Sequence, residues 1–258
     1  MGYYWPEGML LETEENRYYL QNEETLQSAM RIGQILEGRA LLCDYDHNLV
    51  VDMGCCRGII PREEGALGIK EQTVRDIAII SRVNKSVCFL ITAIEHDEAG
   101  APRPILSRRA AQLRCRSEYI DHLTPGEIIP ARVTHLESFG CFVDIGCGLP
   151  SLISIDQISI SRISHPRDRF AVGESIYAVV KAVEPEGTYL LWVDFRSLGL
   201  SRRELEDLIV KKAGLWLDSG DIFGAAGRGF ERINVACPRS VLSEALERLA
   251  RAVRECVK

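Results

Sequence analysis

Phe139 and Phe142 stand three positions apart in the run Phe139-Gly-Cys-Phe-Val-Asp-Ile-Gly146. Successive side chains of a strand point to opposite faces. With Cys141, Val143 and Ile145 turned inward, Phe142 and Asp144 are expected to face outward, and Phe139 joins Phe142 from the adjoining loop. Two rings raised side by side form a platform on which unpaired bases stack, at about 1–3 kcal/mol per base. Arg132 on the preceding strand, Lys181 on a later one and the loop arginines Arg162, Arg167 and Arg169 are the cations suited to phosphates around such a platform. The same residues serve a second reading, in which the rings pack on a neighbouring domain and the arginines are a solvated rim.

Other reactive side chains carry less. The nine cysteines are an odd number, sit singly inside apolar runs (Cys43, Cys88, Cys141, Cys237) apart from the pair Cys55–Cys56, and never form C-x-x-C. Reduced, mostly buried thiols and no metal site are expected. The net charge is −6, from 31 basic and 37 acidic residues, which argues against a surface that grips nucleic acid everywhere. Its distribution is uneven: residues 1–30 hold one base against six acids, whereas residues 101–183 hold ten bases against eight acids. A polyanion is expected to meet the middle of the chain. No stretch reaches the roughly 18–20 apolar residues needed to cross a bilayer, and the acidic start lacks the marks of a secretion signal, so no membrane partner and a cytoplasmic location are expected.

The elements that must position these residues show an internal repeat. Val51, Asp52, Gly54 and Cys55 recur 92 positions later as Val143, Asp144, Gly146 and Cys147. Each copy follows an alternating apolar run and precedes another, the pattern of short strands in small antiparallel barrels. The divisions read from this are an acidic extension (1–32), a first barrel (33–112), a helical linker (113–123), a second barrel (124–196) and an α+β tail (197–258). In the tail, Ser201-Arg-Arg-Glu204 is a capping box opening a helix. Strand-like LWLDSGDIFG and ERINVACP follow, and Ser240 opens a last helix with Leu242, Leu246, Leu249 and Val253 on one stripe. The turn Pro185-Glu186-Gly187 and the strand after it are placed to close the second barrel with Leu191 and Val193 inward.

Residues 124–183, with PGE before the first strand, FGCFVDIG on the second and VGESIYAVVKAVEPE through the fourth, resemble the ribosomal protein S-one type RNA-binding domain, a five-stranded oligonucleotide/oligosaccharide-binding (OB) barrel. The resemblance implies single-stranded RNA as partner, a place near messenger RNA or the ribosome, and Phe139 and Phe142 as stacking aromatics. Ser154 stands where the family has an RNA-facing histidine, with Asp156 nearby, which implies weaker or altered selectivity. The N-terminal repeat resembles a degenerate copy of the same barrel: Phe139 maps to His47 and Phe142 to Val50, so the core is kept and the platform lost. A scaffold role is expected there, with Arg57, Arg62, Arg108 and Arg109 as the only backbone contacts. The fold class is therefore mainly β with an α+β tail: two small OB-type barrels, then helix–strand–strand–helix.

Residues 187–258, with GFERINVACPRSVLSEALERL as their mark, resemble the C-terminal segment of class I/II aminotransferases that act as cystathionine β-lyases, enzymes of pyridoxal phosphate. By that resemblance Arg232 falls on the arginine that pairs with a substrate carboxylate. The Schiff-base lysine and phosphate cup of such enzymes lie in a large domain with no counterpart before residue 187. No cofactor and no catalysis are expected of this chain, and Arg232 reads as an orphan. The alternative is a fragment of a pyridoxal-phosphate aminotransferase or carbon–sulfur lyase that works only with a partner supplying the large domain.

Overall fold

The computed structural model describes residues 4–183, 190–224, 227–235 and 239–256. Contacts divide the chain into two units, one of Met1–His135, Phe142–Ser151 and Phe170–Pro185, the other of Leu136–Cys141, Leu152–Arg169 and Glu186–Lys258. The class is mainly β with helices. Among the described residues no helix is long and apolar enough to cross a membrane.

The first unit opens with helices α1 (Glu14–Tyr19) and α2 (Glu23–Ile32). Asn22 starts α2 by accepting the Thr25 N–H at 3.0 Å in a capping box, and Gly33 ends it at φ 65, a left-handed conformation that glycine takes without a steric cost. Five strands follow: β1 (Leu36–Cys43), β2 (Leu49–Asp52), β3 (Arg57–Ile60), β4 (Ser86–His96) and β5 (Pro102–Ser107), with the short helix α3 (Ile77–Ile80) between β3 and β4. They close into a barrel of order β1-β2-β3-β5-β4, with β1 returning to β4 and β3 running parallel to β5 at Ile59–Ile105. Inside lie Leu36, Leu49, Val51, Ile60, Val87, Phe89 and Leu106, all fully buried. The stretch set apart from the sequence as an acidic extension belongs to this core, because Leu26 and Ala29 of α2 pack into it.

Helix α4 (Arg108–Glu118) leaves β5 directly, its N-terminus capped by Ser107, whose hydroxyl accepts the Ala110 N–H at 2.8 Å. Strands β6 (Ile128–Glu137), β7 (Gly140–Asp144), β8 (Pro150–Ser154) and β9 (Ser175–Val179) then form a four-stranded sheet of order β8-β7-β6-β9.

Strand β10 (Leu190–Asp194) does not join that sheet, contrary to the expectation that it closes the second barrel. It pairs along its whole length with β12 (Phe230–Asn234), from Leu190–Asn234 to Asp194–Phe230, and β12 pairs on its other edge with β11 (Asp218–Ser219). The five consecutive register pairs use one edge of β10 and place it at the border of the three-stranded sheet. The turn at residues 185–187 lies outside the described residues. Between β10 and β11 comes α5 (Arg202–Glu206), which widens into a π-helical turn over Asp207–Lys212; the capping box forms as read, Glu204 accepting from the Ser201 N–H at 2.8 Å. Helix α6 (Arg239–Cys256) completes the second unit, and Leu249 and Ala252 bury against Leu205, Leu208, Ile209 and Ile233.

One charged side chain of the first barrel is entirely buried. The Glu37 carboxylate accepts the N–H groups of Gly8, Leu10 and Leu11, the last two at 2.7 Å, while its backbone exchanges hydrogen bonds with the Asn16 amide at 2.8 and 2.9 Å. The N-terminal turn is thus folded around an acceptor supplied by β1. Glu37→Leu strands three donors, each costing about 1–3 kcal/mol when left unpaired. We expect a loss of at least about 2 kcal/mol in urea titrations, with hydrogen exchange accelerated first at Gly8, Leu10 and Leu11; unchanged protection of those amides would show that Glu37 does not hold the turn.

Candidate nucleic-acid interface

The inner face of β7 is as the alternation predicts: Cys141 and Val143 are buried, and Phe142 is half-buried on the other side. Its ring lies 6.3 Å from that of His135, tilted by 32°, and its carbonyl accepts the Thr134 hydroxyl at 3.1 Å. Both partners stand exposed on β6. The first unit therefore carries a two-ring surface of Phe142 and His135. His135 was not singled out in the sequence although it lies in the alternating run before Phe139; its signal is its place near the end of that strand, beside the aromatic strand that follows. Tyr177 of β9, exposed at 80 % and paired with Pro130, was also missed, although the alternation in SIYAVV marks it as outward.

Asp144 corrects the sequence reading. Expected to face water, it is 3 % exposed. One carboxylate oxygen accepts the Gly146 and Gly148 N–H groups at 2.8 and 3.0 Å, and the other accepts the Glu7 N–H at 2.7 Å. The repeat has a physical meaning here: Asp52 likewise accepts the N–H two residues on, Gly54, at 3.0 Å. In both copies the aspartate folds the turn after the second strand. Only in the second copy does the N-terminal segment cover it.

Glu7 brings a larger cluster together. The Arg108 guanidinium meets its carboxylate through two hydrogen bonds of 2.6 and 3.0 Å, the Cys88 N–H donates at 3.1 Å, and Arg82 approaches to 3.4 Å. Arg108, read as a possible backbone contact for nucleic acid, is instead a buried counter-ion, because Glu7 supplies inside the fold the charge that a phosphate would supply outside. Burial is the largest influence on the Glu7 carboxylate and works against it, but the charge and hydrogen bonds of Arg108, the Arg82 charge and the Cys88 N–H together hold the group below the usual range. Asp144 feels the Arg108 charge and its backbone N–H donors more weakly than it feels burial. Burial, then the charge of Glu7, pushes it up to about 7.

Three thiols lie nearby, those of Cys88, Cys115 and Cys147; all are buried and free, and contact with the Cys115 thiol pushes that of Cys147 far up. Among the described residues no group of cysteine, histidine and carboxylate side chains is arranged to hold a metal.

The remaining sequence-predicted residues fall in both units. Arg132 is partly buried, donating to the Gly173 and Glu7 carbonyls, each at 3.1 Å. Lys181 is exposed. Phe139 belongs to the second unit, half-buried, its carbonyl accepting the Ile155 N–H at 2.9 Å. Gly140 beside it has to be glycine, since a Cβ there would lie 2.5 Å from the Ile153 carbonyl oxygen. Ser154 precedes a 3-10 turn at Ile155–Gln157 and is half-exposed. Arg162, Arg167 and Arg169 are exposed in the loop that follows. His47, the counterpart of Phe139 in the first barrel, sits 3.3 Å from Asp76, which also holds Arg62 at 2.8 Å. Arg232 donates twice to Asp218, at 2.7 and 3.1 Å, and covers the Phe223 ring at 4.6 Å.

With this geometry in place, the comparisons with known proteins are direct. Residues 122–190 match the S1 RNA binding domain. The chain carries an S1 domain. Over 184 residues, 68% of the chain, it is 28% identical to the small ribosomal subunit protein bS1 of Staphylococcus epidermidis, covering 41% of that protein. A 74-residue stretch, 29% of the chain, is 38% identical to the cystathionine beta-lyase PatB of Bacillus subtilis, covering 19% of it. Among solved structures, a pyridoxal-phosphate-bound putative aminotransferase from Clostridium difficile 630 is 58% identical over 27% of the chain and 18% of its own length, with a TM-score of 0.26. The chain thus spans less than half the length of the curated relatives it matches.

The Asp144 environment sets a pH dependence. Its pKa is raised from 3.8 to about 7 on folding, so between those values the folded chain keeps a proton that the unfolded chain releases. Stability from this group is present in full below about pH 4 and is lost as pH rises towards 7, with a slope of at most about 1.4 kcal/mol per pH unit. Asp144→Asn should flatten that decline in urea titrations across pH 4–8; an unchanged profile would place the titration elsewhere.

Proposed function

We propose that the chain binds RNA through its S1 domain, in single-stranded form, and works in association with translation, with the ribosome as its neighbourhood. The observation that carries this reading is the Phe142–His135 ring pair on the outer side of a strand whose inner residues, Cys141 and Val143, are core. A ring on a strand's outer face gains little from folding. It can gain about 1–3 kcal/mol from each unpaired base that stacks on it, and stacking excludes a base already paired in a helix. The partly exposed Arg132 and the exposed Lys181 are the cations of the same unit for phosphates. In the second unit, Phe139, Ser154 and the loop arginines Arg162, Arg167 and Arg169 are proposed as contacts of their own. The likeness to bS1 supports the reading, since that relative is a ribosomal protein by name.

The test is a fluorescence-anisotropy titration with a short labelled oligouridine. Phe142→Ala combined with His135→Ala should weaken binding about ten-fold or more, one stacked base being worth that much. Phe139→Ala, measured separately, reports whether the second unit contributes. The fold survives these changes if circular dichroism is retained, and unchanged affinity in a folded Phe142→Ala, His135→Ala protein would remove the ring pair from the binding surface.

A further inference from the structure

The second unit holds a carboxylate, Glu231, for which no described residue is a partner. In the register of the three-stranded sheet, Glu231 lies between Val193 of β10 and Ser219 of β11, two positions from Ile233 and on the same face. That face is the one turned to the helices, where Val193 and Ile233 pack with Leu205, Leu208 and Ile209. Glu231 is 6 % exposed, and its carboxylate, which no described residue hydrogen-bonds or pairs with, keeps its oxygens open to the cavity it lines rather than sealed in the core. A carboxylate that meets solvent only through a cavity is satisfied there by water or by a ligand that displaces it. Its neighbours do not help. Burial first, then the charges of Asp221, Asp218 and Glu206, press it towards the neutral form, with only Arg202 opposing.

Glu231 lines a cavity of about 340 Å³, within the size range of roughly 300–1,000 Å³ for small-molecule sites. The walls include Leu205, Ile209 and Trp216. Three carboxylates, Glu206, Asp221 and Glu231, line it against two guanidinium groups, and both of these lean on Asp221, Arg202 at 3.4 Å and Arg228 at 3.7 Å. What remains uncompensated is negative and lies next to an apolar wall. A hard metal ion requires several oxygens converging on one point, and no such group of three exists among the described residues. A positive group on a hydrocarbon body fits both halves of the lining. Trp216, 87 % exposed, offers a ring face to a cation entering from solvent.

We propose that this cavity binds a primary ammonium carried on an apolar stem, with Glu231 as its counter-ion and the Leu205, Ile209 and Trp216 side chains around the stem. The site is independent of RNA binding and of any cofactor chemistry.

Hexylamine is the probe, with 1-hexanol and hexanoate as the neutral and anionic controls of equal stem length. In calorimetric titrations of the full chain, hexylamine should bind at least ten-fold more tightly than either control and shift the Trp216 indole N–H resonance. Glu231→Gln, which keeps the shape and removes the charge, should weaken hexylamine at least ten-fold and leave the controls unaffected. Hexanol binding as tightly as hexylamine overturns the proposal without recourse to any variant. So does a folded Glu231→Gln protein that binds hexylamine as the original does.

Discussion

The buried ion pair between Glu7 and Arg108 is the constraint on which the first unit is organised. Four separate segments converge on it: the N-terminal strap through Glu7, β4 through the Cys88 N–H, α4 through Arg108, and the turn after β7 through Asp144, which accepts the Glu7 N–H. Side chains of the pair are only 4 % and 5 % exposed. Loss of one partner would leave the other charged and buried, a loss of about 3–5 kcal/mol in comparable pairs. The pair joins these four segments at one point. It seats the Asp144 turn, and the turn sets the end of the strand that presents Phe142.

This arrangement explains why two copies of one strand-and-turn motif have diverged. Asp52 and Asp144 make the same local hydrogen bond to the N–H two residues on. Asp52 stays in water, whereas Asp144 lies under the N-terminal segment and acquires a second role as acceptor for Glu7. The first barrel is closed, with a core of Leu, Val, Ile and Phe, and carries no ring at the position equivalent to Phe142, where Val50 stands. Two of its arginines are engaged in ion pairs, Arg62 with Asp76 and Arg109 with Glu71. The support role expected of this barrel and the ligand role proposed for the β6–β7 face would thus use one motif on two different surfaces.

What the sequence made legible was local. The alternation in FGCFVDIG gave the inner residues Cys141 and Val143, because strand periodicity depends only on neighbouring residues. The Ser201–Glu204 capping box was readable for the same reason, its two hydrogen bonds closing within four residues. What escaped was set by distant chain. Asp144 looked outward until Glu7, 137 positions away, covered it. Arg108 looked like a phosphate ligand until the same glutamate claimed it 101 positions away. Strand β10 looked like the missing barrel strand until β12 supplied five register pairs. Local alternation cannot choose between two sheets that offer a strand the same face. His135 was missed for a smaller reason: it lay within the run read as a strand, but a lone polar ring there gave no sign of the aromatic neighbour it would meet.

The tail and the S1 domain pose separate chemical questions, and the claim at the centre is the second: that unpaired bases stack on the His135–Phe142 face. The most direct measurement is a pair of two-dimensional NMR titrations of the labelled chain, one with a single-stranded RNA and one with the duplex of the same sequence. The expected result is that the single strand moves the resonances of His135, Phe142 and their neighbours on β6 and β7 while the duplex leaves them in place. Equal shifts with the duplex, or single-strand shifts gathered away from those residues, would contradict it.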